Sequence, residues 1–324
     1  MAKRISDVDE NTPVADAARR VLAVRLEAVR DRIGDTLADA KDRRRHIHAL
    51  RVATRRAAAA ADLFATCLPR KVQRQLRDHL RGLRRTVGAA RDWDVVLSQL
   101  GQRLDGASKS DEPAIDMLTG YALARRVPAQ RKLEEATSDY PFGFDRLMAQ
   151  TMVAVRGPER ATFGTLVRPV VSKMLADFQD LCGRGDGDWA HLHEVRIAGK
   201  RLRYALELVQ PCFGGLVSED VEPALASLQE TLGAVNDSFN ALQLLKEIHS
   251  GLTECLPAAA DRYRALIERQ VAEHEATMRT GRELYRAWLE RWRSQGLQQA
   301  LVAFRTVNET TPIAATPTQR ASIA

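Results

Sequence analysis

Two stretches of this chain repeat each other in one frame, and no other feature constrains its fold as much. HIHALRVATRR at 46–56 matches HLHEVRIAGKR at 191–201, an offset of 145 residues. The same offset aligns Cys67 with Cys212, Gly88-Ala89 with Gly233-Ala234, and Asp92 with Asp237. Without a gap, residues 46–92 and 191–237 share 15 identities in 47 positions. Likeness between Ala-rich helices explains some of these, but it would not hold His, His, Arg, Arg, Gly and Asp in register. Duplication does, and it predicts an all-α chain built from two tandem four-helix bundles about a pseudo-twofold axis.

Within each unit the apolar period is helical. Apolar residues recur three or four apart across segments near 14–40, 42–67, 70–104 and 111–138. In the third, Val72, Leu76, Leu80, Leu83 and Val87 share one face. Leu68-Pro69 separates the second from the third, because proline cannot continue a helix interior. Ser110-Asp111-Glu112-Pro113 places acids and a proline where a helix starts. Four more helices are predicted near 159–183, 189–211, 218–250 and 257–295. The resulting plan is a first half over 12–140 and a linker over 141–158, marked by Pro141, Gly143, Gly157 and Pro158. A second half over 159–296 follows, and a disordered tail over 306–324.

Composition narrows the class. Hydrophobic residues make up 45% of the 324, enough for a sizeable core. Aromatics are 5%, which argues against a large all-β protein and against extensive base-stacking surfaces. No apolar run approaches the roughly 20 residues of a membrane helix. The opening MAKRISDVDE lacks the apolar stretch of a secretory leader. Cys67, Cys182, Cys212 and Cys255 lie far apart and are expected to be reduced core residues. A cytoplasmic protein is expected.

The repeated residues carry charge in a pattern. On a helix, His48, Arg51 and Arg55 fall on one side, with Arg44 one turn before them. The second copy presents His193, Arg196, Lys200 and Arg203 in the same way. Arg56 and Arg201 stand one position beyond, at the edge of each stripe. A solvated polar face explains an isolated stripe of this kind. This one is doubled in register and almost free of acids, and a cation row without counterions repels itself. An anionic ligand is therefore expected, with His48 and His193 as hydrogen-bond donors to it. His46 and His191 are read as polar contacts near the helix starts. His46 and His48 point about 200° apart on a helix and do not share an ion, so neither metal nor cofactor is expected.

Charge is also uneven along the chain. Residues 41–91 hold 15 cations and three acids, a local excess of +12 inside a chain whose formal net charge is +7. Arg74, Arg77, Arg81, Arg84 and Arg85 form a second stripe there. Its counterparts at the repeat offset are Glu219, Glu222, Ala226, Gln229 and Glu230, so this stripe is not duplicated. Solvation and binding explain it equally well. Gly88-x-x-Arg91-Asp92 and Gly233-x-x-Asn236-Asp237 are duplicated. Their glycines suggest close helix approach, and their aspartates suit orienting arginines or capping a helix.

Arg supplies 41 of the 49 cations and Lys only 8, which favours planar, forked contacts with oxyanions over diffuse charge. Nucleic acid is the usual partner of a basic surface. Yet aromatics are sparse among the stripes, and no helix-turn-helix, zinc-finger or RNA-binding sheet signature is present. A ligand made only of phosphate needs forks and charge but no stacking platform. Inorganic polyphosphate has that chemistry.

Together these motifs resemble the CHAD family, the conserved histidine α-helical domain. HALRVATRR at 48–56 and GAARDWDV at 88–95 carry the likeness in the first half. HEVRIAGKRLRYALEL at 193–208 and LQETLGAVND at 228–237 carry it in the second. The likeness spans roughly residues 12–296. It implies two four-helix bundles with a basic central groove or pore that binds inorganic polyphosphate without catalysis. It also implies that His48, Arg51, Arg55, Arg56, His193, Arg196, Lys200, Arg201 and Arg203 contact the ligand, with Arg84, Arg85 and Arg91 as weaker contacts. Ala58 departs from the pattern, since its counterpart is Arg203. Some family members carry a fused triphosphate-processing tunnel domain of paired glutamates on strands, and no segment here reads that way. Binding alone is expected, without a membrane partner and with association to polyphosphate granules. A nucleic-acid-binding or scaffold protein is the first alternative. A phosphohydrolase is the second, and it lacks a recognisable nucleophile or metal constellation.

Overall fold

The computed structural model describes residues 7–38, 42–138, 140–185, 187–212 and 221–294. Among them every extended element is a helix, and one isolated antiparallel bridge joins Pro13 to Thr162. Six helices carry the first part: α1 (Val14–Ala38), α2 (Arg43–Leu63), α3 (Arg70–Leu104), α4 (Glu112–Ser138), α5 (Tyr140–Ala154) and α6 (Phe163–Arg184). They continue as α7 (Trp189–Val209), α8 (Glu222–Cys255) and α9 (Pro257–Ser294). No helix of the described residues is long and apolar enough to cross a membrane. The expected tail over 306–324 lies outside the described residues.

Local chemistry sets the boundaries. A short 3-10 turn, Ala65–Cys67, follows α2, and Pro69 then caps α3. The same turn recurs after α7 as Gln210–Cys212, at the offset of the sequence repeat. Asp188 caps α7 by accepting the backbone N–H of His191 at 2.8 Å. Thr162 and Thr165 form a reciprocal capping box at the start of α6. In α3, Leu76, Leu80, Leu83 and Val87 are buried and Val72 is partly buried, as their spacing predicts.

The expected linker over 141–158 is largely helical instead. Pro141 and Gly143 fall within the first turn of α5, where a missing N–H costs nothing. Beyond them Phe144 and Leu147 lie buried in the main core, which is what fixes the segment as a helix. One cysteine expectation also needs correction. Cys67, Cys182 and Cys212 are buried and unbonded, and burial raises all three thiols, Cys182 and Cys212 to about 12. Cys255 is exposed, because it ends α8 at the tip of a hairpin.

The main core draws on both parts of the sequence. Leu22 and Leu26 of α1, Leu50 of α2, Phe163 and Phe178 of α6, Leu206 of α7, and Trp288 and Trp292 of α9 belong to one cluster. Phe64 stacks on Phe163 at 5.7 Å, tying the end of α2 to the start of α6. A second, smaller cluster lies elsewhere. Ala114, Ile115 and Leu118 of α4 meet Leu245 and Ile248 of α8 and Leu266 and Ile267 of α9. Around it, Arg103 pairs with Glu273 at 2.7 Å, Tyr121 donates to Glu247 at 2.8 Å, and Arg269 pairs with Asp111. The α3–α4 and α8–α9 hairpins are thus joined towards their tips.

Candidate anion-binding site

The site forms where α2 packs against α7, so that the two charged stripes of the sequence meet. Arg51 donates to Asp92 of α3 at 2.8 Å and reaches the Gly88 carbonyl at 3.5 Å. The duplicated aspartate of the first copy therefore orients an arginine. At Gly88, a Cβ would stand 4.0 Å from the same guanidinium, whereas Gly233 has open space around it. The repeated glycines therefore do not mark a close helix approach. That approach occurs at Gly199, where a Cβ would stand 2.7 Å from the Gln229 side chain.

Arg55, Arg196 and Lys200 gather beside Arg51. Burial is the largest influence on Lys200, and it pushes the ammonium down to about 7 from an ordinary 10.5. Arg196, Arg55 and Arg51 push in the same direction, and Asp237 opposes them. Burial also lowers Arg196, with Asp237 and Asp92 opposing and Arg55 and Arg51 adding to the shift. Arg84 of α3 is exposed, yet partial desolvation and then Arg55 lower it, which joins it electrostatically to the group. The His48 imidazole is held below its usual value by desolvation, then by Arg91, Arg51 and Arg55. None of Arg55, Arg196 and Lys200 makes an ion pair among the described residues. Arg196 Nε, Arg203 Nε and His193 Nδ1 are buried without a hydrogen-bond partner there. Buried polar atoms cost about 1–3 kcal/mol each when left unpaired, so an anion that reaches the two guanidinium N–H groups gains that much leverage.

The remaining expected residues lie outside this cluster. Arg56, expected at the edge of the stripe, is instead buried: its guanidinium donates to Glu207 at 2.7 and 3.3 Å in a buried pair between α2 and α7. Position 56 lies about 100° around the helix from Arg55, which turns it from the charged stripe into the packing. Arg44 stands 3.7 Å from Asp94, a fully buried carboxylate that also accepts from Arg126 at 2.8 Å. Arg85 and Arg201 are exposed. The His193 ring leans on Trp189 at 5.2 Å, and Trp189 stacks on Phe239 at 3.9 Å. His191 contacts the Leu181 carbonyl at 2.9 Å, a polar contact near its helix start as expected. No group of three or more His, Cys, Asp and Glu side chains gathers as for a metal ion among the described residues.

Two charged residues at this contact went unnoticed in the sequence. Arg25 of α1 is only 4% exposed, and Glu207 of α7 only 8%. Their signal was present: Arg25 falls on the apolar face of Ala18, Leu22 and Val29, and Glu207 sits between Leu206 and Leu208.

Comparison with known proteins follows the same helices. The crystal structure of the CHAD domain from the plant Ricinus communis matches with a TM-score of 0.67 at 25% identity, over 87% of this chain and 93% of that one. PptA from Streptomyces chartreusis matches with a TM-score of 0.66 at 19% identity, over 85% of this chain and 99% of that one. A search of curated proteins finds no match. The sequence profile of the CHAD domain matches residues 20–246, a span that takes in both α2 and α7 with the cations between them. On that match the chain belongs to the CHAD domain family.

Proposed function

We propose that this chain binds inorganic polyphosphate where α2 meets α7, and that it does not turn the polymer over. One observation carries the reading. Arg55, Arg196 and Lys200 are half-buried cations within electrostatic reach of one another, and none is in an ion pair among the described residues. Like charges packed in this way destabilise each other, and a polyanion lying across α2 and α7 reverses the sign of that interaction. Arg forks suit adjacent phosphoryl oxygens, which they hold by charge-assisted hydrogen bonds. Polyphosphate offers one charge per internal unit and no base to stack. Family membership points the same way. We expect the protein in the cytoplasm, associated with polyphosphate granules.

Titration with long-chain polyphosphate at fixed salt, with duplex DNA and RNA as competitors, tests the proposal. Polyphosphate should bind and should resist displacement by either nucleic acid at equal phosphate concentration. Equal displacement by DNA or RNA would favour a general nucleic-acid surface. Release of phosphate on incubation with a divalent metal would overturn the non-catalytic part.

A further inference from the structure

We propose that Arg126 of α4 binds polyphosphate together with Arg44 of α2, as a second subsite for the same polymer. The buried Asp94 of α3 is its positioning residue, which sets the two guanidiniums side by side. This rests on the polyphosphate reading and extends the contact surface to α4.

Both guanidiniums meet one oxygen. Arg126 Nε donates to Asp94 Oδ1 at 2.8 Å, and Arg44 Nε stands 3.7 Å from the same atom. The Asp94 side chain is fully buried, and its other oxygen, Oδ2, has no hydrogen-bond partner among the described residues. Both cations are thus drawn to one side of the carboxylate. The arginines keep access to solvent, the Arg44 side chain at 56% and that of Arg126 at 22%. Neither makes a further hydrogen bond or ion pair among the described residues, so each guanidinium keeps its Nη edge for a ligand. Two cations share one acid, which leaves the group with a net positive charge. Glu134, two turns further along α4, is taken up by Arg43 at 2.8 Å and by Gln130 at 3.1 Å.

The repeat shows that packing here needs no charge. At the offset of 145 residues the same three places hold Trp189, Phe239 and Val271. Trp189 and Phe239 stack with ring centroids 3.9 Å apart, so the corresponding contact between α7 and α8 is apolar. An apolar contact of similar volume is often as stabilising as a buried ion pair, or more so. Stability therefore gives little reason for two arginines around a buried acid. Presenting forked cations to an anion does.

The subsite continues the charged stripe. Arg44 lies seven residues before Arg51 on α2, about 10 Å along the axis, with His48 between them. Arg51 is itself held by Asp92, two residues before Asp94 on α3. A polymer engaged at Arg51 reaches Arg44 and Arg126 only when it is several phosphoryl groups long, and the second contact then gains effective concentration.

Titration of the full chain with long-chain polyphosphate, and with pyrophosphate, at one salt concentration tests this. Arg44→Gln leaves the Arg126–Asp94 bond in place, and Arg126→Lys keeps the charge while removing the fork. Each should lose about threefold or more in affinity for the long polymer, with pyrophosphate affinity unchanged. Unaltered long-polymer affinity in either variant overturns the proposal, and so does an equal loss for both ligands. Asp94→Asn removes an acid from a basic region, so charge alone predicts tighter binding and positioning predicts weaker binding. Tighter binding of the long polymer by folded Asp94→Asn overturns the role of Asp94. The double variant Arg44→Gln/Arg126→Lys leaves Asp94 untouched and should lose less than the product of the two single losses, because either change already breaks the pair. A full product would mean independent contacts and overturns the shared subsite. Failure of the unaltered protein to bind polyphosphate would instead overturn the functional reading beneath it.

Discussion

Arg56 Nε and Glu207 Oε2 stand 2.7 Å apart, joining α2 to α7 across 151 residues of sequence. Arg25 of α1 lies in the same buried region: burial and Arg56 push its guanidinium down, and Glu207 pushes it up. One carboxylate therefore serves two buried guanidiniums. The helices that supply the cation cluster are held side by side by a pair that is not part of it.

Glu207→Gln should accordingly be the most damaging change at this contact. It leaves the buried Arg56 guanidinium without the carboxylate it pairs with, a loss of about 3–5 kcal/mol. Arg56→Met should cost less, since Glu207 still has Arg25 to neutralise it. Urea denaturation of both variants checks the order. If Arg56→Met unfolds more readily than Glu207→Gln, the three-residue arrangement is wrong.

Position should matter more than total charge. Replacing Arg51 and Arg55 together by Ala removes two cations of the cluster, each charge-assisted contact being worth about 1.5–3 kcal/mol when desolvated. A loss of polyphosphate affinity of about a hundredfold is expected, and less if the contacts are rim-like. Replacing Arg74 and Arg77 removes the same formal charge, but Arg77 is already paired with Asp62 at 3.0 Å. That loss should be several times smaller. Equal losses would mean diffuse attraction to a basic helix in place of a built site. Helicity and melting must be recorded for each variant, because Arg stems also pack.

Salt and chain length probe the extent of the contact. Many simultaneous phosphate contacts release counterions, so log affinity should fall linearly as log salt rises. Long polyphosphate should outcompete triphosphate, pyrophosphate and orthophosphate at equal phosphoryl concentration, because one chain engages both helices. A flat salt response, or pyrophosphate competing equally, would indicate a small enclosed pocket.

The free protein should gain stability as pH rises above neutrality. Lys200 has a folded value of about 7 against an ordinary 10.5. Between these values the unfolded chain holds a proton that the folded chain has released, so alkali favours folding. Below about 7 both states hold the proton and the full penalty is present. Lys200→Met should therefore melt a few degrees higher than the unaltered protein at pH 7, while binding polyphosphate more weakly. A lower melting temperature would show that Lys200 is not strained.

Much of this architecture was legible in the sequence. The 3.6-residue period of α3 placed Leu76, Leu80, Leu83 and Val87 inside, and Leu68-Pro69 marked the turn after α2. The meeting of Arg51 and Arg55 with Arg196 and Lys200 followed the repeated frame. Arg56 was misplaced because adjacent positions on a helix differ by about 100°, and only the packed neighbour shows which side of the stripe is covered. Helix α5 was missed because Pro141 and Gly143 read as breakers, although in a first turn they do not break a helix. Lys200 was readable as a cation, but not as a strained one. Its strain comes first from burial, then from Arg196 on its own helix, and then from Arg55 and Arg51, which lie about 150 residues earlier in the chain.

The two hairpins meet through seven buried apolar residues, far fewer than make up the main core. So small a fastening stores little of the total stability, and it should unzip as a unit before the rest. Amide hydrogen exchange should then be faster around Ile115, Ile248 and Ile267 than around Leu22, Leu50 and Leu206.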